Sequence, residues 1–223
     1  MFDANKLVLF GGMSTTTSLN SDPTSGPPFA QGGPGWTHAG SPSSDLYILD
    51  TRTLHWTRVP EVPLTPPPRA FHGSCVFGPD GHEQLVVMGG VSDRSYGKAY
   101  FDCYLFNLIS NEWTQLRVVG EAPSPRFGGC LVHTQVSGEF YFFGGWSPGV
   151  PPSDQRLFRF KLGDGVVHSE VVDVGGSTPP LPRAFHSMDM IQNRLVVFAG
   201  KTTLEGGSTD LYTFDVTQNR WSK

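Results

Sequence analysis

At 223 residues with 38% hydrophobic side chains the chain can fill the core of one large domain or two small ones, and 27 Gly and 19 Pro against 16% charged residues lean it toward an all-β fold. A net charge of -4 supplies no cationic footprint for nucleic acid, and no apolar run approaches the ~20 residues of a membrane helix. Cys75, Cys103 and Cys130, odd in number and without a C-x-x-C pair, indicate neither a disulfide framework nor a zinc ribbon. They fit a reducing intracellular compartment, the cytoplasm in preference to the nucleus, and "MFDANKLVLFGG" lacks the basic start and small-residue cleavage site of a signal peptide.

In chain order, the first predicted strand is "KLVLF", closed by Gly11 and Gly12. A long segment, Met13 to Ser44, follows and is rich in Gly, Ser, Pro and Thr. It reads either as an insertion tolerated because loop entropy grows slowly with length, or as a partner-binding arm anchored by Phe29 and Trp36. "DLYILDTRTLHW", Asp45 to Trp56, then gives a strand, a turn and a strand beginning at Trp. "PPPRAFH", Pro66 to His72, leads into the next strand.

The same parts then recur. The doublet run returns as "QLVVMGG" at Gln84, "EFYFFGG" at Glu139 and "RLVVFAG" at Arg194. The second pattern returns as "DCYLFNLISNEW" at Asp102, "RLFRFKLGDGVV" at Arg156 and "DLYTFDVTQNRW" at Asp210, and the Pro-Arg step returns at Arg126 and Arg183. The three arginines are evenly spaced, 126 − 69 = 57 and 183 − 126 = 57. Each unit reads as four strands, A to D: after Pro-Arg, before the doublet, at "DLYxxD", and from the Trp. Asp164-Gly165 is the hairpin signal between C and D of the third unit. Four-stranded antiparallel units at a period near 50 describe the blades of a β-propeller.

With Gly doublet, Tyr and Trp at matched offsets, the chain resembles the kelch-repeat family over nearly its whole length. Blade 1 is placed at 1–61 with its B–C loop at 13–44, blade 2 at 68–120, blade 3 at 125–175 and blade 4 at 182–223. Blade 1 lacks strand A and blade 4 barely enters strand D, so the expected ring is incomplete, with a closed four-bladed ring as the rival. Kelch propellers usually have six or seven blades, which makes the chain an expected fragment of a larger ring. Blade 3 departs from the pattern at Arg156, Lys161 and Val167 and is expected to be the most loosely packed.

In up-and-down blades the B–C and D–A connections share one face, and function is expected there. The partner-binding candidates are Trp146, which directly follows a doublet, Arg94 and Tyr96 in "SDRSYGK", and Trp36. Arg69, Arg126 and Arg183 form either a cationic ring for an acidic peptide or blade joints that use the same group each time. The Phe of "PRAFH" is expected in the core. His72 and His186 have no third partner, since Gly128 and Gly129 follow Phe127, so no metal or other cofactor is expected. No G-x-S-x-G, Walker or H-E-x-x-H motif marks an active site.

The resemblance implies a non-catalytic protein-interaction scaffold with a protein or peptide partner, and the charge and the lack of a long apolar run make neither nucleic acid nor membrane an expected ligand. The alternatives are an accessory kelch domain of an enzyme whose catalytic part lies elsewhere, or a metal-using propeller enzyme or specifier protein.

Overall fold

The computed structural model describes residues 5–14, 41–79, 82–93, 96–134, 138–149, 154–202 and 206–223, and every regular element among them is a strand. Trp36, Phe29, Arg94 and most of the long B–C loop lie outside the described residues. Blade 1 is a three-stranded sheet, β1 (Lys6–Phe10), β2 (Leu46–Asp50) and β3 (His55–Val59). Blade 2 holds β4 (Gly73–Phe77), β5 (Gln84–Met88), β6 (Cys103–Asn107) and β7 (Glu112–Gly120). Blade 3 holds β8 (Phe127–His133), β9 (Glu139–Trp146), β10 (Leu157–Gly163) and β11 (Val166–Val171). Blade 4 holds β12 (Ser187–Ile191), β13 (Arg194–Phe198), β14 (Leu211–Asp215) and β15 (Arg220–Ser222).

Within each blade consecutive strands pair antiparallel, as short β-branched and aromatic runs broken by turn residues require. Asp164 and Gly165 take φ of 51° and 74°, and Gly163 pairs with Val166 across them, so the two-residue hairpin read from the sequence is present. One ladder crosses a blade boundary: Arg117–Gly120 of β7 runs parallel to Val166–Ser169 of β11, joining the outer strands of blades 2 and 3 into one eight-stranded sheet.

Successive side chains on a strand point to opposite sheet faces, so a blade with described neighbours on both sides packs backward and forward at once. Leu85, Val87, Tyr104, Phe106 and Trp113 of blade 2 face Phe10 and Leu46 of blade 1, while Val86, Met88 and Cys103 face Phe140, Phe142, Phe158 and Phe160 of blade 3. Tyr141, Phe143 and Leu157 in turn meet Leu195, Val197, Phe214 and Trp221 of blade 4. Blade 3 is therefore not loose. Val167 is buried where other blades carry Trp, because Phe140, Phe142, Phe158 and Phe160 supply the missing volume.

The strand-D tryptophans divide by neighbourhood. Trp113 and Trp221 are 5% and 4% exposed, but Trp56 is 45% exposed, because no described blade precedes it. Among the described residues no strand pairing joins blade 1 to blade 4, and the propeller is a partial, open one.

Candidate functional site

The Pro-Arg step builds the joint between blades. Arg69 donates from Nε to the Pro67 carbonyl at 3.2 Å and from Nη1 to the Gly89 carbonyl at 2.9 Å. Arg126 repeats this with Ser124 at 2.9 Å and Gly144 at 3.2 Å, and Arg183 with Leu181 at 3.0 Å and Ala199 at 2.7 Å. One guanidinium thus ties strand A to the doublet of its own blade three times over. The carbonyl of the same arginine accepts from the preceding blade, Gly12 N donating to Arg69 and Gly90 N to Arg126, each at 2.9 Å.

That contact explains the doublet. The first glycine sits at φ of 63° to 72° in blades 1 to 3, and a Cβ there would lie 2.7, 3.0 and 2.4 Å from the carbonyl oxygens of Arg69, Arg126 and Arg183. Only Gly clears that space in that conformation. Blade 4 writes Ala199 at this position, still left-handed at φ 61°. No arginine carbonyl approaches it among the described residues.

All three arginines are buried, which removes the cationic ring as a contact surface: a guanidinium beneath the loops offers an arriving peptide no accessible N–H. Arg69 makes a two-pronged pair with Asp102 at 2.6 and 3.0 Å, and stacks 4.5 Å from the Tyr100 ring centre. In blade 3 Arg156 occupies the aspartate position, and Asp154 two residues earlier pairs with Arg126 at 3.1 Å. Burial raises the Asp154 carboxyl, but hydrogen bonds from Arg156 and the charge of Arg126 outweigh it and hold the group below its ordinary range. In blade 4 the pattern fails: Asp210 pairs with Lys223 at 3.0 Å, and Arg183 Nη2 is buried without a hydrogen-bond partner.

Two residues beyond each arginine the backbone turns left-handed, at Phe71 (φ 57°), Gly128 (φ 70°) and Phe185 (φ 56°). Gly128 N donates to the Phe71 carbonyl and Phe185 N to the Gly128 carbonyl, both at 2.7 Å, so this turn is stitched from blade to blade. The phenylalanines are consequently not core residues. Phe71 is half-buried and Phe185 is 40% exposed, because the left-handed turn rotates their rings out of strand A onto the loop face.

There they meet the aromatic candidates. Phe71 lies 6.0 Å from Tyr96 and 5.5 Å from Phe185, and Trp146 lies 6.5 Å from Phe185. Phe127 forms the floor, 5.2 Å from Tyr96 and parallel to Trp146 at 6.4 Å. Lys201 Nζ lies 5.4 Å from the Trp146 ring centre. Asp93 presents Tyr96 by accepting from Gly97 N and Lys98 N at 3.2 and 3.1 Å. The structure thus gathers Trp146 and Tyr96 onto one face, as the loop topology requires, and adds Phe71, Phe185 and Lys201. The signal for the two phenylalanines was available: they align with Gly128, the residue type that favours positive φ.

His186 is buried and His72 half-buried, and desolvation of each ring, reinforced by Arg69 and Arg183, holds both imidazoles down at about 4. They are neutral packing groups, His186 edge-on to Phe143 at 5.6 Å. Among the described residues no group of three or more His, Cys, Asp or Glu lies together in a way that holds a metal.

Residues 81–223 match the model of the KLHDC2/KLHL20/DRC7 Kelch-repeats domain. Among curated proteins the chain is 31% identical to host cell factor of Drosophila melanogaster over 71% of its own length. It is 31% identical over 65% to the dynein alpha chain of the flagellar outer arm of Chlamydomonas reinhardtii, and 26% identical over 69% to tip elongation aberrant protein 1 of Schizosaccharomyces pombe. The chain spans only 11%, 3% and 13% of those three proteins.

Proposed function

This chain belongs to the kelch-repeat family, and we propose that it is a non-catalytic protein-interaction scaffold that grips a partner on the aromatic face around Trp146. The observation that carries this reading is the gathering of Phe71, Tyr96, Trp146 and Phe185, from three blades, into one partly exposed cluster over Phe127. Partly exposed aromatics on a rigid floor give large contact area at small entropic cost, the chemistry of an interface hot spot. Similar sequence occurs inside proteins as differently named as host cell factor, a dynein chain and a tip elongation protein, which suits a binding module carried by many larger chains. Three unpaired thiols, Cys75, Cys103 and Cys130, suit a reducing compartment, and we place the protein in the cytoplasm.

The test is affinity capture from the native source with the wild-type chain and with Trp146→Ala and Phe185→Ala, followed by titration of the captured partner. Each substitution is expected to weaken that partner on the order of tenfold to a hundredfold while circular dichroism and the melting curve stay close to wild type. Equal affinity of wild type and both variants would remove the aromatic face from the interface.

A further inference from the structure

The arginine joint of blade 3 differs from the other two by one hydroxyl. Two residues before the arginine, blades 2 and 4 carry Pro67 and Leu181, which offer the guanidinium only a carbonyl, while blade 3 carries Ser124. Ser124 Oγ accepts from Arg126 Nη2 at 3.0 Å and lies 3.0 Å from the Ser147 hydroxyl. Ser147 directly follows Trp146, and Arg126 Nη2 also holds Asp154, at 3.1 Å, at the far end of the same B–C loop. One side chain thus reaches, directly or through Arg126, both ends of the loop that presents Trp146.

Ser124 is also open to chemistry that Pro67 and Leu181 cannot undergo. It is exposed, as is Pro125 after it, and the connection 121–125 carries no strand. Pro125 keeps Ser124 extended by excluding helical backbone before it. An exposed, extended Ser-Pro step is the substrate shape of a proline-directed protein kinase. Thr65, before Pro66, turns its hydroxyl into its own loop instead, donating to the Val62 carbonyl at 2.6 Å. Thr178, before Pro179, is exposed but bonds no guanidinium.

We propose that Ser124 is a phosphorylation site that controls the Trp146 face. The transfer forms the Oγ–P bond and breaks the bond from the terminal phosphorus of ATP to the oxygen that leaves with ADP. The hydroxyl proton goes to the kinase's base. Before the transfer the charges around Ser124 balance, Arg126 and Arg156 against Asp154 and Glu121. A phosphate adds about −1.5 to −2 charges and strong acceptor oxygens. It takes Arg126 Nη2 from Asp154 by charge-assisted hydrogen bonding, and the two anions then repel each other. Asp154 no longer pins the far end of the loop to the joint, and the bulkier group breaks the Ser124–Ser147 contact at the near end. The site stands on this geometry alone, and its effect on a partner rests on the aromatic-face reading above.

The test treats the folded chain with magnesium ATP and a proline-directed kinase of the cyclin-dependent class, and maps phosphate by mass spectrometry there and in the protein isolated from its source. Phosphate is expected on Ser124, and its absence from Ser124 in both samples overturns the proposal. In the chain carrying phosphoserine at 124, phosphorus NMR is expected to show a midpoint about one pH unit below the roughly 6 of a free phosphoserine, returning to it in urea. A midpoint that unfolding does not move overturns the pairing with Arg126. Amide exchange over residues 146–149 is expected to quicken by roughly tenfold, and unchanged exchange overturns release of the loop. The captured partner is expected to bind the phosphorylated chain on the order of tenfold more weakly. Ser124→Ala treated with the same kinase is expected to keep wild-type affinity, and a loss there assigns the effect to another residue and overturns the proposal. If Trp146→Ala weakens the partner and the phosphate does not, control of the face is overturned. If neither weakens it, the aromatic-face reading is what fails, and the phosphate and exchange results still decide the site.

Discussion

Trp113 and Trp56 occupy the same position in consecutive blades, and the structure assigns them different energetic weights. Trp113 is packed against Phe10 and Phe106, each at 5.0 Å between ring centres, and edge-on to Tyr104 at 6.3 Å. Removing a buried indole returns ~150–250 Å² of contact to a cavity, and at ~25 cal/mol per Å² the transfer part alone is roughly 4–6 kcal/mol as an upper bound. Trp113→Ala is thus expected to cost about 3–5 kcal/mol. For a chain of this size, that is a fall in Tm of roughly 6–20 °C. Trp56, nearly half open and touching Tyr47 edge-on at 6.4 Å, is expected to lose only about 1–2 kcal/mol on the same substitution. The assay is urea unfolding followed by circular dichroism. Equal losses from the two substitutions, or a loss below about 1 kcal/mol at Trp113, would refute the blade packing described.

The remaining expectations concern the joint, His72 and His186. Gly144→Ala drives a Cβ to 2.4 Å from the Arg183 carbonyl and is expected to lower Tm by several degrees, while Ala199→Gly, at a left-handed position with no such neighbour, is expected to gain about 1 kcal/mol; thermal melts that rank them the other way sink the account of the doublet. His72 and His186 titrate at about 4 in the folded chain against roughly 6.5 when unfolded, so acid favours the unfolded state. The stability they contribute is whole above pH ~6.5 and drains as pH falls toward 4, by up to about 3 kcal/mol for each. Melting curves of the His72→Leu, His186→Leu double variant should be flatter than wild type across that window, and parallel curves would contradict it.

Much of the fold was legible because a repeat states the same physics several times. Four apolar runs with small residues behind them located strand B of each blade, and three evenly spaced arginines located the joints. What one sequence could not disclose was context. Trp56 and Trp113 are spelled alike, yet their burial depends on whether another blade lies behind. Blade 3 looked weak at Val167 because the pattern counts residue types at one position, whereas packing sums volume over Phe140, Phe142, Phe158 and Phe160. Arg156 departs from the aspartate pattern, and Asp154, two residues off register, supplies the carboxylate that pairs with Arg126. The candidate site is half legible: loop topology marks Trp146 and Tyr96, but a strand A read from the residue after Pro-Arg puts Phe71 and Phe185 in the core. It starts after the left-handed turn, and that displacement decides whether a phenylalanine is core or contact.

The arginine joint has a consequence for how such a protein can be altered. Each connection is written almost wholly in main-chain atoms, a Gly doublet on one side and an arginine carbonyl on the other, and it repeats between blades 1 and 2 and between blades 2 and 3 with the same 2.9 Å bond. A joint of that kind reads little of the loop beside it beyond the carboxylate that pairs with the arginine, Asp102 or Asp154. The rest of a loop can therefore be exchanged for that of another blade, or for foreign sequence, provided the carboxylate that pairs with the buried arginine is kept. The proposed recognition surface and the architecture occupy the same face of the molecule yet rest on largely separable sets of atoms, so that surface can diversify without altering the fold.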